Sequence, residues 1–190
     1  MKWKTHLLFS LVLIFSVLIF INGCSENSVS NPSEPVESIG IHMDDIQWVS
    51  AKPEFVSQLK ALKKSVIDGK LISVAEGGTV GGENTYNNSV VFPPGAFNED
   101  TYVTVEVEYN KNGIVWVEFL PSGSFNEFVE ATLSWEHLDI DELLIADLNI
   151  YFSQDDGEYW FNLDSEPVIN YENKTVTYKT NHFTRYGWGI

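Results

Sequence analysis

The chain has 190 residues, with 27 Asp and Glu against 11 Lys and Arg, a formal net charge of −16 at pH 7. Phosphate backbones are bound by clustered cations, so a surface this acidic excludes nucleic acid as a partner and is held off anionic headgroups. A single cysteine, Cys24, excludes an internal disulfide and leaves any exported domain to be held together by its core.

Met1 to His6 carries two lysines and no acid, and an uncharged stretch follows from Leu7 to Ile21. This is the layout of a secretory signal. The stretch is fifteen residues long, and a helix rising ~1.5 Å per residue needs about twenty to cross a bilayer core, so a cleaved signal is expected in place of a permanent span. Ile21-Asn22-Gly23-Cys24 comes next, then a polar run from Ser25 to Ser38 rich in Ser, Asn, Glu and Pro. The sequence resembles the lipobox of bacterial lipoproteins, with Asn22 where a smaller residue is usual. The resemblance implies a signal peptide over 1–23 and lipidation at Cys24, with palmitate-like acyl chains on the new amino terminus. It also implies a location in the bacterial cell envelope, lipid-anchored and extracytoplasmic. Residues 24–38 then read as the lipidated cysteine and a flexible linker, since Pro32 and Pro35 break any regular element.

Residues 39–70 read as an N-terminal extension with one helix. Pro53 suits a first helical turn and Glu54 its positive end. Phe55, Leu59, Leu62, Val66 and Ile67 fall at helical spacing, and Asp68-Gly69 is expected to stop the helix. From Leu71 the hydrophobic period changes to two and strands dominate. Thr101 to Tyr109 alternates Val103, Val105, Val107 and Tyr109 against Thr104, Glu106 and Glu108, a strand with one wet side. Ile114 to Phe119 is apolar on both faces and suits a central strand. Ala131 to Trp135, Leu148 to Phe152 and Thr175 to Thr180 are further strands. Asn110 to Gly113, Asp155-Asp156-Gly157 and Glu172-Asn173-Lys174 are hairpin turns, and Pro93-Pro94-Gly95 and Pro121-Ser122-Gly123 are also turns. The expected fold is mainly β, a β-sandwich over 71–190 with one N-terminal helix.

Four motifs follow in order: Glu76-Gly77-Gly78-Thr79-Val80, Val91-Phe92-Pro93-Pro94-Gly95-Ala96-Phe97, Phe119-Leu120-Pro121-Ser122-Gly123-Ser124-Phe125, and Asn181-His182-Phe183-Thr184-Arg185-Tyr186-Gly187-Trp188. Together they resemble the ZU-five domain family of ankyrins, netrin receptors, zonula occludens proteins and bacterial surface proteins. The resemblance implies an interaction or scaffolding β-sandwich with no cofactor. Some members cut their own backbone within His-Phe-Ser, and His182, Phe183 and Thr184 match those positions, with Thr in place of Ser. Chemically, Thr184 Oγ1 would attack the Phe183 carbonyl, His182 would take its proton, and water would hydrolyse the ester. The competing reading is a last strand with a buried Phe183.

Other candidates are weaker. Gly77-Gly78 and Gly81-Gly82 lack the Lys-Ser/Thr ending of a phosphate loop and precede no helix. Asp44-Asp45, Asp139/Asp141/Glu142 and Asp155-Asp156 match no calcium-loop spacing, and His42, His137 and His182 form no helical ligand pair, so no metal is expected. No carboxylate pair is marked as glycosidase-like. Five tryptophans follow Cys24, and exposed rings stack on sugars, so Tyr159-Trp160 beside the Asp155-Asp156-Gly157 turn is a candidate aromatic binding face. The expected function is therefore a membrane-anchored, non-catalytic binding module for an unknown protein or glycan. Self-cleavage between Phe183 and Thr184 and carbohydrate binding are the alternatives.

Overall fold

The computed structural model describes residues 40–62, 65–163 and 165–190; the signal, Cys24 and the linker lie outside them. The described residues form one compact unit. Its elements are β1 (Ile41–His42), α1 (Pro53–Leu62), β2 (Val66–Ile72), β3 (Gly78–Gly82), β4 (Asn88–Phe92), β5 (Thr101–Tyr109), β6 (Val115–Ser134), β7 (Asn149–Ser153), β8 (Tyr159–Asn162), β9 (Val168–Asn170) and β10 (Thr175–Gly189).

All the strand pairs are antiparallel, and two strands organise them. β6 and β10 are 20 and 15 residues long, and each changes partner along its length. The start of β6 pairs with β5 and with the end of β10; the end of β6 pairs with β4 and with the start of β10. β7 joins the end of β10 and β9 its start. The result is a β-sandwich: one layer runs β2-β5-β6-β10-β7-β8-β1 and the other β9-β10-β6-β4-β3, with the two long strands shared.

The crossing between layers needs extra chain. Between the Phe183–Gly123 and Arg185–Glu118 pairs, β6 uses five residues where β10 uses two, and the same imbalance recurs between Thr180–Val129 and His182–Ser124. Each slip is a bulge in β6, which bends the strand and increases its twist. Pro121-Ser122-Gly123 lies here. It is not the chain reversal expected, because β6 continues through it with residues 121–124 exposed. The strands expected at Ile114–Phe119 and Ala131–Trp135 are consequently the two ends of β6.

Alternating Val103, Val105 and Val107 are buried from β5, as expected. Asn110 Oδ1 accepts from the N–H of Asn112 and of Ile114 and closes the β5–β6 hairpin, where Gly113 has φ 78°. The helix is shorter than the sequence pattern implied. α1 ends at Leu62, and Val66 and Ile67 belong to β2, with Asp68-Gly69 in mid-strand. Pairing of β2 with β5, from Val66 opposite Val107 to Ile72 opposite Thr101, overrides a chance helical spacing. β2 thus runs across the division drawn after residue 70.

The four motifs of the ZU-five resemblance meet at the layer crossing. Phe183 from β10 lies 5.0 Å from Phe119, 4.5 Å from Phe125 and 5.4 Å from Phe92, ring centre to ring centre. Phe97 closes the cluster against Phe92 and Phe125. Asn126 N donates to Ala96 O at 3.0 Å, tying the bulged part of β6 to the turn after Pro93-Pro94-Gly95. Gly77, at φ 70°, sits where a Cβ would strike the Phe92 carbonyl. A smaller cluster of Ile46, Tyr151 and Trp160 packs with Met43 and Trp48 of the N-terminal segment, beside β8.

Candidate functional site

His182 and Phe183 lie between the two register slips of β10, and Thr184 lies within the second. Phe183 and Thr184 are buried and His182 is half-buried. Two hydroxyls converge on one carbonyl: Thr180 Oγ1 and Tyr186 Oη each donate to His182 O at 3.0 Å. That carbonyl belongs to the His182–Phe183 peptide, one bond upstream of Phe183–Thr184. The residue after it is Phe183, which has no hydroxyl to attack with, so the polarised carbonyl and a nucleophile are not brought together. The bonds instead serve a backbone acceptor beside a register slip. Tyr186, packed 5.4 Å from Tyr178, has its phenol pushed up to about 12 by burial. Tyr178 is driven upward by burial in the same way, so both phenols are neutral, and Tyr186 is the one that donates.

Burial also lowers the pKa of His182, and its Nδ1 finds no hydrogen-bond partner among the described residues. His137 is lowered too, chiefly by burial; its ring stacks on Phe55 of α1 at 4.1 Å with Tyr86 edge-on at 5.1 Å. Both imidazoles sit below the ordinary 6.5 in the folded chain, so the unfolded chain takes up protons first as pH falls. Their contribution to stability is complete above that value and declines below it, until the folded groups protonate. Glu106, raised chiefly by burial and then by Glu108 and Glu118, acts in the opposite sense nearer 4.5. We expect the urea midpoint to fall between pH 7 and pH 5, and to fall less in His137→Gln; equal slopes in both chains would show that His137 is not the source.

Tyr159 and Trp160 are adjacent in β8 and point to opposite sides. Tyr159 is 43% exposed and Trp160 1%. Trp160 packs 4.7 Å from Trp48 and donates Nε1–H to Gly157 O at 2.9 Å. The pair offers one ring to solvent, so the two rings do not share one exposed face. Trp135 and Trp188 are buried as well, while Trp116 lies under Arg185 at 5.1 Å. Arg185 Nη2 meets Glu118 Oε2 at 2.9 Å, and the Trp116 Nε1–H donates to Glu108. The tryptophan surplus is structural.

A cleft of about 560 Å³ opens beside His182, a size that suits a small ligand or a few side chains. Phe152 and Phe161, paired across β7 and β8, form its floor with ring centres 5.5 Å apart, and Phe152 continues to His182 at 4.9 Å. Phe128 of the bulged β6 segment, 63% exposed, and Ile41 add to the apolar lining. Asn162, Asn181 and Lys179 supply polar groups. Sequence reading missed this cleft because it draws on five strands distant in the chain. The near-complete burial of β7 on both faces also hides which side Phe152 takes. A larger depression of about 690 Å³ is lined by Asn87, Glu136, Asn170, Glu172 and Lys174 among others, without aromatic residues. Apolar burial supplies most binding energy, so the aromatic cleft is the better candidate.

Among the described residues no group of three or more His, Cys, Asp or Glu is placed to hold a metal ion. No helix of the described residues is long and apolar enough to cross a membrane. Compared with protein-family models and with curated proteins, the chain matches none.

Proposed function

We propose that this chain is a lipid-anchored, extracytoplasmic binding or scaffolding module of the ZU-five type, non-catalytic toward other molecules. The lipobox-like Ile21 to Cys24 supports the anchor, and residues 25–38 give reach. The observation that carries the binding role is the half-open aromatic cleft between Phe128, Phe152 and Phe161. Its ligand presents an apolar surface to these rings and hydrogen-bonding groups to Asn162, Asn181 and Lys179, the chemistry of an envelope protein's side chains. Each aromatic contact contributes about 0.5–1.5 kcal/mol beyond area burial.

An anionic aromatic dye, 1-anilinonaphthalene-8-sulfonate, reports on the cleft by fluorescence titration. We expect saturable binding, weakened about tenfold by Phe161→Asp, which removes one to two such contacts. Binding unchanged in Phe161→Asp would remove the cleft from consideration. The same reading expects the Phe183–Thr184 bond to stay whole, since the hydroxyls address the neighbouring peptide. The denatured mass of the purified chain should extend to Ile190, whereas release of a Thr184–Ile190 peptide would establish self-cleavage.

A further inference from the structure

The sandwich leaves one long strand unpaired on one side. β1 and β9 are two and three residues long and β3 carries three glycines, but β2 spans seven residues and pairs only with β5 among the described elements. Free edges are ordinarily blunted by charge or shortness. The outer face of β2 is instead apolar: Ile67 is 52% and Leu71 57% exposed, and Tyr102, opposite Leu71 on β5, is 61% exposed. The Tyr102 ring covers Gly69, where an added Cβ would lie 2.6 Å from its hydroxyl oxygen. The other face of β2 carries Asp68 and Lys70. Asp68 is half-buried, its Oδ2 accepting from Gly81 N of β3 at 3.1 Å, and Lys70 is exposed.

We propose that β2 is a self-pairing edge, joining two copies of this chain by an antiparallel β2–β2 ladder about a two-fold axis at Gly69. In such a ladder, residues opposite each other must lie on the same face of the sheet, so only registers centred on a residue are allowed. Centring on Asp68 sets Asp68 against the partner's Asp68. Centring on Lys70 sets Lys70 against the partner's Lys70. Centring on Gly69 sets Asp68 against the partner's Lys70, twice by symmetry, and Ile67 against the partner's Leu71, also twice. The charges that block the neighbouring registers therefore select this one. Gly69 places no side chain at the axis, and Tyr102 extends each apolar row by one ring. The inference goes beyond the ligand cleft, which lies among β1, β6, β7, β8 and β10 and stays open in the pair.

Opposite-charge cross-strand pairs contribute about 0.2–1 kcal/mol each, and like charges cost a similar amount. With two such pairs per dimer, one charge reversal should change the dissociation constant about tenfold or more. The experiment is sedimentation equilibrium of the full chain in mild detergent, with circular dichroism to confirm the fold of each variant. We expect the wild type to dimerise, Lys70→Asp to weaken the dimer about tenfold, and Asp68→Lys/Lys70→Asp to restore it. Leu71→Asp leaves the Asp68–Gly81 bond untouched and should also lose the dimer. A wild type that stays monomeric, or a Lys70→Asp chain that dimerises like the wild type, overturns the proposal. Neither result bears on dye binding at the cleft.

Discussion

Replacing Phe183 with alanine should lower the unfolding free energy by about 3–5 kcal/mol, the range for truncating a buried phenylalanine. The ring is 2% exposed and touches Phe92, Phe119 and Phe125, residues contributed by three separate strand segments. The site has little freedom to collapse, because two register slips and the Asn126–Ala96 bond already fix the chain around it. A unit of this size loses roughly 2–4 °C of melting temperature per kcal/mol, so the midpoint should fall by about 10 °C. Phe128→Ala is the comparison: it alters the same bulged region at a 63% exposed position and should change stability by no more than about 0.5 kcal/mol. If the two variants melt together, the aromatic cluster does not hold the layer crossing.

The strands of this fold were legible where one face is wet and one dry. In Thr101 to Tyr109 the alternation of valine with threonine and glutamate states both the strand and its buried side; the structure buries Val103, Val105 and Val107 and leaves Thr104, Glu106, Glu108 and Tyr109 half-buried. The hairpin turns were legible because Asn110, Asp155 and Gly113 carry local chemistry that needs no distant partner. β2 was misread as helix because Phe55, Leu59, Leu62, Val66 and Ile67 satisfy a 3.6 period by coincidence, and only the distant partner β5 decides between the two. Pro121-Ser122-Gly123 failed for a related reason. Proline and glycine announce an interruption, but whether a strand reverses or bulges onward depends on the strand beside it, here β10. The candidate sites depend most on what one dimension does not show. His182-Phe183-Thr184 reads as chemistry in one dimension, yet in space the hydroxyls of Thr180 and Tyr186 serve the carbonyl one residue earlier. Tyr159-Trp160 reads as a pair, yet adjacent strand residues face opposite ways.

The largest effect expected of any change in this chain lies at its amino terminus. A chain exported by an ordinary secretory signal and beginning at Ser25 should move entirely from the membrane fraction to the soluble one. The physical ground is that, among the described residues, no helix is long and apolar enough to cross a membrane. Once the segment before Cys24 is removed, nine basic residues face twenty-seven acidic ones, so the folded surface is repelled by anionic headgroups. A lipid anchor works differently: each buried methylene contributes about 0.8 kcal/mol, and two or more acyl chains make the attachment durable where one does not. Cys24→Ala in the full chain gives the complementary readout. It should abolish incorporation of labelled palmitate, whether or not the uncut apolar stretch keeps the precursor in the membrane. If the Ser25 chain still sediments with membranes, the folded unit has a membrane ligand of its own, and the aromatic cleft, with Lys179 at its rim, is where that ligand should be sought. If it is soluble, position comes from Cys24 alone, and the β2 edge would meet its partner copy at the raised concentration that a shared membrane surface provides.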